Sequence, residues 1–203
     1  MSVKIRRVLG ALVLSAGSVA GVMAAAPQAG ADPDLPINWT VDAQTHVAGL
    51  NQDVTITGGT FIGSVDLGTG EIVADLSLPS ATSPVALLGI PLANAEFKVA
   101  PTGPVTGTVD LANLTVNVSS SFDIKIPSLK PIILPINLVG NRCQTSTPIS
   151  LDMSGTVDLV NGTSLSGEFT IPKFKNCGLA TFALNLLVPG GGNTFSATAK
   201  PAA

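Results

Sequence analysis

Between Leu114 and Pro127 the chain alternates without a break. Leu114, Val116, Val118, Ser120, Phe122, Ile124 and Ile126 share one parity; Thr115, Asn117, Ser119, Ser121, Asp123 and Lys125 share the other. Successive side chains of a strand point to opposite faces, so this spacing predicts a strand with one apolar face. At roughly 3.3 Å per residue its thirteen positions before the proline would span about 40 Å, about twice a usual strand.

The same alternation recurs around a short repeat. Gly-Ser-Val-Asp-Leu occupies 63–67, and Gly-Thr-Val-Asp-Leu occupies both 107–111 and 155–159, spacings of 44 and 48 residues. Each copy is followed by a turn, a second alternating segment and an apolar residue with proline: Leu78-Pro79, Ile126-Pro127 and Ile171-Pro172. The turns are Gly68-Thr69-Gly70, Ala112-Asn113 and Asn161-Gly162, the last a strong two-residue hairpin signal. Three hairpins are therefore expected, around 59–79, 104–127 and 148–172, each with a proline stop. Phe61, Val65 and Leu67 face one way in the first, with Val105, Val109 and Leu111, then Leu151, Met153 and Val157, as their counterparts. Asp66, Asp110 and Asp158 fall on the opposite parity, as solvated residues beside the turns. No second carboxylate stands at calcium-loop spacing from them.

This pattern predicts an all-β fold: an antiparallel sandwich, or a barrel or half-barrel, built from three repeated long hairpins after an N-terminal signal helix. Between the hairpins lie Pro-bounded apolar segments at 84–93, 131–140 and 179–193. They are too short to cross a bilayer as helices. They read either as further buried strands or strand-linking stretches that close the core, or as the lining of a cavity or its mouth. On the second reading the candidate ligand-lining residues are Leu87, Leu88, Ile90, Ile132, Ile133, Leu134, Ile136, Leu138, Phe182 and Leu186. Gly190-Gly191-Gly192 is expected to be a turn before a closing strand over 194–199.

The N-terminus changes the picture. Lys4, Arg6 and Arg7 precede an apolar, small-residue stretch over 8–26, and Ala29-Gly30-Ala31 supplies a signal-peptidase pattern, so cleavage is expected after Ala31. Removing 31 of 203 residues leaves 172, enough for a single β domain with its own core. No later run spans a bilayer as a helix, and the mature chain is expected to be secreted or held at the cell surface. Export places Cys143 and Cys177, 34 residues apart, in an oxidising compartment, where a disulfide is the expected state. The leader also takes three of the ten basic residues and none of the thirteen acidic ones, so the mature charge is 7 − 13 = −6. That balance argues against nucleic acid and anionic headgroups as partners, since both need clustered Lys and Arg.

Catalytic chemistry is thin. His46 is the single histidine, no Gly-Xaa-Ser-Xaa-Gly elbow is present, and neither Ser-Lys nor phosphate-loop motifs occur. Two cysteines without His or Cys neighbours do not make a metal site. A non-enzyme with no cofactor and no metal is expected. A β pore is disfavoured, because Tyr is absent and Trp39 is alone, leaving no aromatic girdle.

NRCQTSTPISLDMSGTVDL, FTIPKFKNCG and VPGGGNTFSATAKP, within 141–201, resemble a group of exported mycobacterial and related actinobacterial proteins of uncharacterised function. That resemblance implies export to the cell envelope without supplying an activity. WTVDAQTH at 39–46 and GTFIGSVDL at 59–67 are similar to the opening of the bacterial polyisoprenoid-binding, lipocalin-like family, and no binding residues are carried over from it. The expectation is an exported, non-catalytic envelope protein that binds or carries an apolar small molecule such as a lipid. The alternative is a structural or surface-interaction β module with a solid core, engaging an envelope or host protein.

Overall fold

Fourteen residues of alternating sequence, Asp34–Val47, form strand β1, and β2 (Gln52–Asp66) returns beside it. The computed structural model describes residues 34–87, 90–134, 136–158 and 162–202; the expected signal peptide, 1–31, lies outside them. The chain continues through β3 (Glu71–Ser77), β4 (Ala81–Leu87), β5 (Ile90–Pro101), β6 (Val105–Asp110) and β7 (Thr115–Pro131). It ends with β8 (Gln144–Thr145), β9 (Ile149–Asp158), β10 (Gly162–Ile171), β11 (Phe174–Lys175), helix α1 (Thr181–Leu187) and β12 (Gly190–Pro201).

Eight of these strands close into an antiparallel barrel in the order β7, β6, β3, β2, β1, β12, β10, β9, and β9 pairs back onto β7. The all-β expectation holds, in its barrel form. The three repeats are the hairpins β2–β3, β6–β7 and β9–β10. Their glycines explain why the same residue stands at the same place three times. A Cβ on Gly63, Gly107 or Gly155 would collide with the backbone carbonyl of Val73, Asn117 or Ser164 on the neighbouring strand. A small barrel must coil its strands tightly, and glycine admits that approach.

The repeat aspartates close the turns. Asp66 Oδ1 accepts from the Gly68 and Thr69 N–H groups at 2.8 and 2.9 Å, and Asp110 Oδ1 accepts from Ala112 and Asn113 at 2.9 and 3.0 Å. The third turn, at 159–161, lies outside the described residues.

The long alternating segment becomes β7, 17 residues in all. Its first half is a barrel stave between β6 and β9; its second half leaves the barrel and pairs with β5 and β8. The expected stop at Pro127 is corrected: the strand runs through to Pro131. Glu96 opposes Ser128 and Lys98 opposes Lys125, so two residues of β7, Ile126 and Pro127, face Phe97 alone. A bulge tolerates proline because no ladder N–H is required there.

With β4, β8, β11 and α1, this half of β7 forms an extension beyond one end of the barrel. The expected disulfide is present, and Cys143–Cys177 ties the segment after β7 to the segment before α1. Both cysteines are buried in a core that runs on from the barrel through Ile126, Leu129, Phe174 and Leu184. Gly190–Gly192, expected to be a turn, instead open β12. The buried Asn193 explains the tight entry: its side chain donates to the carbonyls of Phe169 and Gly190 and accepts from the Ala48 N–H.

Candidate ligand cavity in the barrel

Inside the barrel lies a cavity of about 330 Å³. Every stave contributes inward residues of one parity. They include Ile37, Trp39 and Val41 from β1, Val116 and Val118 from β7, and Phe195, Ala197 and Ala199 from β12. Phe61, Val65, Ile72, Leu76, Val105, Val109, Met153, Val157 and Leu165 complete the wall. The outward positions of the same staves are mostly polar, Thr40, Gln44, Thr60, Asn117, Ser119 and Asp152 among them, with Ile62 and Val73 as exposed apolar exceptions. That polarity is opposite to a barrel whose outer wall faces lipid.

The cavity opens at the end that carries the repeat turns. Leu35, Leu67 and Leu111 line it and are also exposed, so they form an apolar rim. Carboxylates surround this rim: Asp34 lies opposite Asp66 across β1 and β2, Glu71 begins β3, and Asp110 and Asp158 end β6 and β9. Lys200, near the end of β12, is the single described cation there. Hydrogen bonds hold two of these carboxyls below their ordinary range. For Asp66 the largest cause is the Thr69 N–H, then that of Gly68; for Asp110 it is the Asn113 side-chain amide, then the Asn113 and Ala112 N–H groups. Both are charged at neutral pH.

The opposite end is shut. Ala43, Val54, Ile56 and Leu78 pack together there, and a Cβ on Gly49, in the turn joining β1 to β2, would meet the carbonyls of Leu187 and Val188.

Two hydroxyls break the apolar wall. Thr163 lines the large cavity, is 3% exposed, and its Oγ1 has no hydrogen-bond partner. Ser120, 5% exposed and equally unpartnered, lines a second cavity of about 40 Å³. Leu76, Met153 and Phe195 line both cavities and so stand between them. Buried polar groups without a protein partner are uncommon, and a water molecule or a ligand group can supply one.

The ligand-lining residues singled out in the sequence are elsewhere. Ile90, Ile132, Ile133, Leu134, Ile136, Phe182 and Leu186 are exposed, and Leu138 packs on the core of the extension. Leu87 ends β4, its side chain lying outside the described residues as does all of Leu88. None of the described members lines the barrel cavity. Segment 84–93 ends β4 and opens β5, 131–140 leaves β7 as an irregular loop, and 179–193 holds α1 and the start of β12; they give Ala93, Val139, Ala180, Leu184 and Val188 to the core. The loop begins after Pro131, the last residue of β7, which still lies opposite Ala93. The Asn137 side chain accepts from the Leu129 and Val139 N–H groups.

Sequence reasoning missed β1 and β12 as walls, although Ile37, Trp39, Val41 and Ala43, and Phe195, Ala197 and Ala199, keep the same alternation. His46 stands on the barrel's outside near the shut end, its Nδ1 2.8 Å from Asp53 Oδ1.

Fold and cavity define an eight-stranded antiparallel barrel with an apolar interior open at one end. Comparison with protein-family models, with characterised proteins and with solved structures finds no match for this chain.

Proposed function

We propose that this protein binds a single-chain amphiphile inside its barrel, as an exported, non-catalytic carrier of the cell envelope. The observation that carries the reading is the apolar cavity of about 330 Å³ with one unpartnered hydroxyl near its mouth. Ligand pockets run from roughly 300 to 1,000 Å³, so this one suits a single chain better than two. Apolar lining in contact with water is unfavourable by roughly 25 cal/mol per Å², so leaving this open cavity without an apolar occupant carries a cost. An occupant removes that cost; a solid core would have needed larger side chains than Ala197, Ala199 and Val118.

Thr163 begins one residue inside β10, beside the mouth, and offers one O–H and two lone pairs. A ligand hydroxyl or carbonyl fits it. The acidic rim disfavours a carboxylate or phosphate head, so a neutral head such as a glyceride is the better match. The described lining holds no carboxylate, imidazole or amine to move a proton, which supports binding rather than catalysis. The disulfide supports an oxidising destination.

Native mass spectrometry of the disulfide-bonded chain, followed by organic extraction, tests this directly. A released amphiphile is the expected result, and a long-chain monoacylglycerol should bind more tightly than the fatty acid of the same chain. Ala199→Phe should abolish uptake while the barrel still folds. Thr163→Val should weaken monoacylglycerol binding by about three- to tenfold, one hydrogen bond's worth, while stabilising the empty protein. A bare mass with no uptake of either lipid overturns the reading.

A further inference from the structure

The charge of this molecule is divided between its two ends. The extension, comprising 81–101, 122–148 and 172–189, carries Lys98, Lys125, Lys130, Arg142, Lys173 and Lys175 against two described acids, Glu96 and Asp123. The rest of the described chain carries ten acids against Lys200. The extension is thus cationic in a protein whose total charge is negative.

Three of these cations form a row. Lys98 lies directly opposite Lys125 across β5 and β7, Lys125 opposite Gln144 across β7 and β8, and Gln144 opposite Lys175 across β8 and β11. Directly opposed residues share a face, so the row crosses four strands at about 4.8 Å per step. Like charges facing each other oppose sheet formation. No described carboxylate pairs with them: the ion pair recorded among described residues is His46–Asp53, and Thr145 donates to Asp123. Lys175 Nζ donates to the Ser146 carbonyl at 3.0 Å, and the charges of the row, opposed to one another and without a described carboxylate partner, face outward.

Apolar side chains protrude from the same extension. The Ile132 N–H donates to the Leu92 carbonyl, which joins the loop of Ile132, Ile133 and Leu134 to β5, the strand that begins with the exposed Ile90. Ile133 is 87% exposed. Lys130 lies just before this loop, opposite Asn94. Farther along, Leu179 and Phe182 are 87% and 80% exposed, and the Cys143–Cys177 bond holds their segment to the loop that carries Arg142.

We infer that the extension is a docking surface for an anionic phospholipid membrane. Protruding, separately exposed apolar residues suit a fluid acyl layer, which needs no complementary pockets, and the surrounding cations match lipid phosphates in sign. Among the described residues no helix is long and apolar enough to cross a membrane, so the contact is interfacial. The inference departs from the expectation drawn from total charge, because binding follows the distribution of charge and not its sum.

Flotation of the disulfide-bonded chain with vesicles decides the matter. The chain should bind phosphatidylcholine vesicles containing phosphatidylglycerol, leave phosphatidylcholine alone, and be released by added salt. Lys98→Glu with Lys125→Glu should weaken binding about tenfold or more. Ile133→Asn with Leu134→Asn should weaken it without removing the salt dependence. These positions are exposed, so thermal unfolding should stay cooperative in each variant. Equal partition onto both vesicle types, no binding to either, or full binding by the charge-reversed variant would overturn the inference. Ala199→Phe should bind vesicles normally, so failure of the cavity reading and failure of this one are separable.

Discussion

At the residue scale the repeat consists of a glycine that lets strands approach and an aspartate that closes the turn. Gly107→Ala would drive a Cβ into the Asn117 carbonyl, a rigid backbone atom. We expect a loss of about 2 kcal/mol or more in urea unfolding, whereas Gly103→Ala, with open space around its Cβ, should change stability by about 0.5 kcal/mol or less. Similar midpoints for the two variants would remove the collision from the account. The aspartates predict a pH response. Because the folded state depresses the Asp66 and Asp110 carboxyls, their contribution is complete above the ordinary carboxylate value and is lost as pH falls through the folded-state value. The Thr69 and Asn113 amide proton shifts should move together with carboxyl protonation below about pH 4, and Asp110→Ala should abolish the response at Asn113 alone. Shifts that stay flat down to about pH 2 would mean that the bonds do not persist in solution.

At the element scale, the inward faces were legible and the neighbours were not. Alternation marks Val116, Val118, Met153 and Val157 as one-faced, and the structure places them on the cavity wall. The same parity holds Ser120 and Thr163, and a polar residue on an apolar face was the available signal for both unpartnered hydroxyls. Parity cannot say that β9 closes onto β7, a contact made across tens of residues, so sandwich and barrel stayed open. At the Pro-bounded segments hydropathy could not separate the buried Ala93, Val139 and Leu184 from the exposed Ile90, Ile133 and Phe182, since it reports a preference for burial without supplying a partner. In 179–193 the helical signal was present: Ala180, Leu184 and Val188, four apart, are the buried residues. Phe182 and Leu186 masked it by making the opposite face apolar as well.

At the scale of the whole molecule, the mouth and the extension lie at opposite ends of the barrel and are held by different means. The barrel staves form a closed ladder, while the extension depends on β5, β8 and the Cys143–Cys177 bond. The bond closes a loop of 34 residues, worth about 3 to 4 kcal/mol on the chain-entropy account. That loop contains Phe169, Ile171 and Phe174 from the junction of barrel and extension, whereas β1 to β3 lie outside it. Cys143→Ser with Cys177→Ser should therefore lower global stability by about that amount. Amide exchange should rise most in 126–145 and 172–189, with β1, β2 and β3 keeping the protection of the closed ladder. Exchange that rises equally in β2 and in the extension would mean that the two ends unfold as one unit, and a ligand filling the barrel would then stabilise the extension by the same amount as the staves.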